Sequence, residues 1–396
     1  MFTYTLIKRH LRSPLLNILS FCWYIYNQFY KLCRRTIKIL WWTLTLQLKS
    51  KLQNYKLQYS RKEDVHYLPL PKAYSLVVPF EYECLSKNSL PTIAVMCHMY
   101  YIDMLEIFKA YLTNIPYRFD LFITTDSEDK KRIIEANLSS WESGSVIVKI
   151  APNRGRDIAP KLITFKEIYS KYEFCLHIHT KKSPYHEVHE KWRSYLLDNL
   201  LGSKKIVQSI FEIFKTEPGI GIIAPQHFWP FHSSIGWGYN FEIAQRFSSK
   251  LGLNLALDGR LDFPSGSMFW ARCAALMPLL DCNLSFDDFP EEANQKDGTL
   301  AHVIERLYFL SCELAGFRWI KIISSSYANT TKRIIAINSP KDLKKAIIKS
   351  QYKLLTTSSD KSRQIDQIKN ISTISAFIKK VNFSKNKFKV GNSSKR

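Results

Sequence analysis

The sequence predicts an α/β protein with a mostly parallel central sheet, and three observations predict it. Short apolar runs alternate with segments of helical period from residue 92 onward. A glycine-bearing loop, "APNRGRDIAP" (residues 151–160), opens the next helix in the same order. Four successive apolar runs end in polar residues, as strands do where their carboxyl ends border a ligand crevice.

Taken in order, "TIAVMCH" (residues 92–98) reads as a buried strand, followed by polar His98, Tyr100 and Asp103. "YIDMLEIFKAYLTNI" carries Ile102, Leu105, Ile107, Phe108 and Leu112 at helical spacing. "YRFDLFITTD" (residues 117–126) is a second strand, "EDKKRIIEANL" a helix and "SVIVKI" (residues 145–150) a third strand. The glycine-bearing loop leads into "KLITFKEIYSKY", and "EFCLHIH" is the fourth strand. Beyond it, "WRSYLLDNLLGSKKIVQSIFEIF" reads as amphipathic helix broken at Gly202, and "GIGIIAP" (residues 219–225) as another short strand. "LDFPSGSMFWAR" (residues 261–272) places a small-residue turn before an aromatic strand. "FDDFPEEANQKDGTLAHVIERL" (residues 286–307) runs from an acidic loop into a helix, and "FRWIKI" closes the body. These half-domain features point to a nucleotide or another phosphate-bearing ligand.

The net charge of +23 is unevenly placed. Residues 1–62 hold 12 Lys/Arg and no acid, and residues 331–396 hold 17 against three acids. The span 63–330 is close to neutral, with 28 bases and 31 acids. The expected organisation is a basic, aromatic N-terminal segment (1–62), a linker (63–91), a near-neutral globular body (92–330) and a basic C-terminal tail (331–396). Residues 14–48 mix Trp, Tyr, Phe and Leu with Lys and Arg. Interruption by Asn17, Asn27 and Gln28 suits an interfacial helix on an anionic membrane better than a clean span; a helix packed on the body is the alternative. Nucleic acid is not the expected partner, because the basic residues interleave with Trp, Leu and Ile instead of forming a patch. Eight cysteines show no CxxC and no zinc-like spacing, which favours a reducing compartment.

Several stretches carry chemistry. In "NRGRDIAP", Gly155 permits close backbone approach, Arg154 and Arg156 suit a phosphate, and the following helix offers free N–H groups. The bland alternative is an N-cap at Asp157 with solvent-facing arginines. In "LHIHTKKS" (residues 176–183), zinc would lack a Cys or a third ligand, whereas anion recognition uses Lys181 or Lys182 as a point charge and His179 as a donor. Gly266, between two serines, lets backbone approach a ligand, or simply makes a turn. The acids from Asp287 to Asp297 supply candidates for a general base, although Asp297 also suits an N-cap. His302 and Arg306 share a helical face, with Glu305 beside them as pocket wall.

Over residues 92–323 the chain resembles the rhamnan synthesis protein F family of bacterial polysaccharide glycosyltransferases, through "NRGRDIAP", "HIHTKKS", "WRSYLLDNLLGS", "FPSGSMFWAR" and "DGTLAHVIER" in that order. The family pattern has a Glu-Pro-Gly-Gln run before Asp-Gly-Thr; here Glu292 and Gln295 match, while Ala293 and Asn294 replace Pro-Gly. The resemblance implies a GT-A-like, Rossmann-like nucleotide-sugar domain. It implies transfer of a sugar, often rhamnose from dTDP-rhamnose, onto a lipid-linked glycan at the cytoplasmic face of the inner membrane. On that basis Asn153, Arg154, Gly155, Arg156 and Asp157, with Gly266, are expected at the donor, and His179 and Lys181 at its diphosphate. Glu292 or Asp297 is expected as the base of an inverting single displacement, and His302, Glu305 and Arg306 as the acceptor wall. Many GT-A enzymes hold a divalent metal through an Asp-x-Asp after the fourth strand. This chain has His-Ile-His-Thr-Lys-Lys there, so no metal or other cofactor is expected, fixed cations taking its place. A non-catalytic glycan- or lipid-binding assembly factor is the alternative function.

Overall fold

The computed structural model describes residues 22–23, 25–34, 36–37, 74–84, 91–180, 187–255, 261–293, 295, 297–331, 333–350 and 354–355. The chain divides into two compact units, Met1–His66 and Tyr67–Arg396. In the first unit the described residues are helical, and Trp23, Ile25, Tyr26, Phe29, Tyr30 and Leu32 are exposed. No helix among the described residues is long and apolar enough to cross a membrane.

The second unit is an α/β body. Along the chain run β1 (Ser75–Val78), β2 (Ile93–His98), α1 (Leu105–Leu112), β3 (Asp120–Thr125), α2 (Glu128–Asn137), β4 (Val146–Ile150), α3 (Ile158–Ile163) and β5 (Phe174–His179). There follow α4 (Glu187–Leu201), α5 (Lys204–Thr216), β6 (Ile220–Pro225), α6 (Phe241–Ser248), β7 (Phe269–Arg272) and α7 (Met277–Leu280). The chain continues through α8 (Leu300–Leu314), β8 (Arg318–Ser324), β9 (Ile334–Ile335) and α9 (Pro340–Ser350). One nine-stranded sheet carries them in the order β4-β3-β2-β5-β7-β6-β8-β1-β9.

Strand alternation divides the core into two faces. In β2, Ile93, Val95 and Cys97 join one cluster with side chains of α1, α4, α5 and α9. Ala94 and Met96 join the other, with α3, α6, α7 and α8. Covering both faces with helices requires strands that are apolar throughout, and β2, β5 and β6 are buried at every position. The same period of two turns His98, His177 and His179 toward the α3 and α8 side.

The sheet is mostly parallel, as expected, and three of its features were not readable in the sequence. β7 runs antiparallel to both β5 and β6, so the sheet is mixed. Its four-residue apolar pattern is the same for either direction, which hides the orientation. β1 lies within the segment expected to be a linker, yet pairs parallel with β8 and β9. The segment expected to be a basic tail, either a loose helix or disordered, adds β9 and the helix α9, whose Leu343, Ala346 and Ile347 are buried in the core. FRWIKI therefore does not close the body. Lysines on the outer face of α9 mask its apolar stripe in a composition reading.

Candidate functional site

The strand order reverses between β2 and β5: from β2 the chain builds outward through β3 and β4, then crosses back to add β5 on the other side. Open α/β sheets bind ligands outside the carboxyl ends of the strands at such a switch point. The register pairs His98 with His179 there, at the last residue of each strand. His98 Nδ1 lies 3.0 Å from Thr124 Oγ1. Burial lowers the His98 pKa to about 4, against the pull of Asp157. His177, one step back in β5, packs among Tyr169, Phe269 and Tyr308, with its Nε2 2.7 Å from the Tyr169 hydroxyl, and is a core residue.

Asp157 precedes α3 and is the charge centre of this corner. It occupies the N-cap position of α3, but its carboxylate makes no side-chain cap bond there. Lys161 Nζ reaches its Oδ2 at 2.8 Å, one helical turn on, and His179 Nδ1 lies 3.2 Å from the same oxygen. Lys161 is almost wholly buried and also donates to the Ser267 carbonyl at 3.2 Å. Burial alone would raise the Asp157 pKa, but His179 and Lys161 hold it well below the usual carboxylate range.

The rest of the NRGRD loop divides between the cleft and the acidic segment. Asn153 is exposed. Arg154 turns to the acidic segment, with NH1 3.2 Å from Asp287 and NH2 2.9 Å from Glu291. Gly155 sits at φ +68, and a Cβ there would lie 2.5 Å from Ala159 Cβ and 2.6 Å from the Phe289 ring. The glycine is thus needed both for its backbone conformation and for close packing. Arg156, also left-handed, donates its backbone N–H to Glu292 Oε1 at 3.1 Å and its guanidinium to the Gln295 carbonyl.

Across the cleft, the turn before β7 has Gly266 at φ +88 and Ser267 at φ +54. Gly266 N–H donates to Glu305 Oε1 at 2.7 Å, fixing the turn to α8. A buried set braces the same turn from behind: His227 bridges Ser265 Oγ (2.9 Å) and Asp262 Oδ1 (3.0 Å), and Asp262 pairs with Lys321. Thr299 is the N-cap of α8 but makes no side-chain cap bond; its Oγ1 lies 2.8 Å from His302 Nδ1. Burial lowers the His302 pKa to about 4, and Arg156 and Arg306 deepen the shift against Asp297 and Asp157. Arg306 points away from the opening, donating to the Gly236 and His302 carbonyls at 2.7 and 2.9 Å.

These elements line a small, open cleft of ≈ 50 Å³, well below the volume of a closed ligand pocket. Of the residues singled out in the sequence, Arg156, Asp157, His179, Gly266, His302 and Glu305 line it. Ser267 and Ala301 line it as well and were missed. Lys161 was also missed, although its spacing of four from Asp157 inside an apolar helix was a readable signal. Lys181 lies outside the described residues. The two expected bases do not line the cleft. Glu292 is held by Arg156, and Asp297 accepts from Tyr239 N–H (3.2 Å) and the Asn240 amide, with Arg306 3.7 Å away. Asp297 therefore ties the 238–240 turn to the start of α8 instead of capping that helix. Among the described residues no group of three or more His, Cys, Asp or Glu side chains is placed to hold a metal ion.

An α/β body with a polar cleft at its switch point is an architecture suited to binding a ligand, and the family follows from comparison. The chain belongs to the rhamnan synthesis protein F family, whose model matches residues 52–313. Membership ties it to polysaccharide synthesis. Two proteins of Xanthomonas campestris pv. campestris, each described as uncharacterized protein WxcX, are 35% identical to it over 231 residues. The match covers 58% of this chain and 32% of theirs, so the chain spans about a third of the length of the curated relatives it matches.

The buried charge centre makes a pH-dependent prediction. Asp157→Asn leaves Lys161 without its carboxylate and is expected to cost about 3–5 kcal/mol at pH 7 by denaturant unfolding. The wild-type carboxylate has a folded pKa below its unfolded value of about 3.9. Its contribution is therefore complete above that value and lost as pH falls through the folded pKa. The gap between the two proteins should narrow below about pH 4; a gap unchanged from neutral to acid pH would contradict the assignment.

Proposed function

We propose that the chain is a GT-A-like glycosyltransferase that moves a sugar, rhamnose or another deoxysugar, from a nucleotide diphosphate donor to a lipid-linked glycan. The observation that carries this reading is the cleft at the switch point, where Arg156, His179 and His302 supply donors and cations and Glu305 supplies a carboxylate. Membership of a family of polysaccharide synthesis supports the same reaction class. The nucleotide-sugar sits against the Asn153–Asp157 loop, with fixed positive groups where related folds use a metal.

Chemistry follows from which acid remains accessible. Glu305 Oε1 accepts the Gly266 N–H, while Oε2 lies 3.8 Å from Arg306, so the side chain is oriented but not enclosed. In the reaction the acceptor hydroxyl oxygen bonds to the anomeric carbon as that carbon's bond to the phosphate oxygen breaks. The bonding pair leaves with the nucleoside diphosphate, and the hydroxyl proton passes to Glu305. Attack opposite the leaving group inverts the anomeric centre, converting a beta-linked donor into an alpha linkage.

The exposed aromatic side chains of residues 22–37, interspersed with Lys31 and Arg34, support a peripheral seat on an anionic membrane at its cytoplasmic face.

Two measurements test these readings. Glu305→Gln is expected to lower kcat about 10²–10⁴-fold with little change in donor affinity. Glu292→Gln and Asp297→Asn should act mainly through stability, and near-wild-type turnover by Glu305→Gln would remove it as base. Replacing Trp23 and Phe29 together by Ser should reduce co-sedimentation of the full chain with phosphatidylglycerol-rich vesicles by about tenfold or more. Unchanged sedimentation would overturn the membrane contact.

A further inference from the structure

Helix α8 begins at the cleft in an unusual state. It is 15 residues long, so its N-terminus carries a developed dipole and first-turn N–H groups without intrahelical partners. A threonine at the N-cap normally turns its hydroxyl onto one of those groups. Thr299 does not, because its hydroxyl is engaged with His302 Nδ1 at 2.8 Å. Ala301, in that first turn, lines the cleft.

His302 supplies a second, independent sign of a ligand. The residue is 7% exposed and borders the cleft, and its Nε2 has no hydrogen-bond partner among the described residues. Leaving a buried polar atom unmatched costs about 1–3 kcal/mol, which a ligand atom would offset. When the Thr299 hydroxyl donates to Nδ1, the ring carries its proton on Nε2 and becomes a neutral donor. The surrounding charge has the sign an anion requires. Arg156 also lines the cleft, and together with Arg306 it opposes protonation of the ring more strongly than Asp297 and Asp157 favour it. Of the cleft's two carboxylates, Asp157 is neutralised by Lys161 and His179, and Glu305 is held by Gly266 one turn further along α8.

We infer that His302 Nε2, the first-turn N–H groups of α8 and the Arg156 guanidinium form a subsite for a diphosphate group. It rests on the glycosyltransferase reading for its natural ligand, the diphosphate of the donor and of the departing nucleoside diphosphate, but its chemistry is independent of turnover. The subsite moves the diphosphate from the end of β5, where Lys181 was expected to meet it, to the opposite wall. There Glu305 lies three residues beyond His302 on the same helix, which sets the acceptor-activating carboxylate beside the leaving group's seat.

The test uses the full chain and inorganic pyrophosphate, with inorganic phosphate as the shorter probe, by titration calorimetry. Wild type should bind pyrophosphate more tightly than phosphate. His302→Ala should weaken pyrophosphate binding by about tenfold or more, as loss of a hydrogen bond to a charged group does. His302→Gln, which restores an N–H donor, should recover most of it. Arg132→Ala, on exposed α2, controls for net charge and should bind as wild type does. Matching circular dichroism and melting of the variants separates binding from misfolding. No pyrophosphate binding by wild type, or equal binding by His302→Ala, would overturn the subsite. Sugar transfer with pyrophosphate affinity indifferent to residue 302 would remove the subsite and leave the enzyme. Binding through His302 without transfer from any donor would do the reverse.

Discussion

The Asp157 carboxylate, half-buried between the buried Lys161 and His179, is the interaction on which the cleft depends. Its two partners come from different parts of the fold: one from α3 a turn later, the other from the end of β5. A buried charge such as that of Lys161 is tolerated only when matched, and the Asp157 carboxylate matches it here. Lys161 extends the lock to the β7 side through the Ser267 carbonyl. The loop after β4, the switch-point strand and the turn before β7 are thereby held at one place.

A second buried set works behind the first. Lys321 of β8 balances Asp262, His227 after β6 binds both Asp262 and Ser265, and Gly266 next to Ser265 holds Glu305. Strand ends on both sides of β7 thus bear on the position of one carboxylate. On the cleft wall, His302 Nε2 retains capacity for a ligand. In the proposed transfer, such preorganisation would let fixed dipoles and guanidinium groups act on a leaving diphosphate without rearranging.

How much of this was legible in the sequence follows from the range of the interactions. Strand runs such as IAVMCH and FCLHIH announce themselves locally, and their polar last residues marked the ligand edge before any pairing was known. The gathering of Arg156, Asp157, His179, Gly266, His302 and Glu305 follows from that edge. The partners of Arg154 and of Asp297 do not. Arg154 meets Asp287 133 residues away, and Asp297 meets Asn240 57 residues away, so neither commitment leaves a local signature. An acidic loop read alone offers many bases; only the three-dimensional pairing reveals that Glu292 and Asp297 hold structure while Glu305 faces the cleft. The edge strands β1 and β9 were hidden for a different reason, being four and two residues long. They take their direction from β8 and not from their own pattern.

Sugar transfer by the purified full chain, measured across a panel of nucleotide-sugar donors with a prenyl-diphosphate-linked glycan acceptor in the presence of a chelator, tests the central claim most directly. The expected result is transfer from a deoxysugar donor with inversion at the anomeric carbon, at a rate insensitive to the chelator. Absence of transfer from every donor would contradict the enzymatic role, and activity abolished by the chelator and restored by manganese would contradict the use of fixed cations in its place.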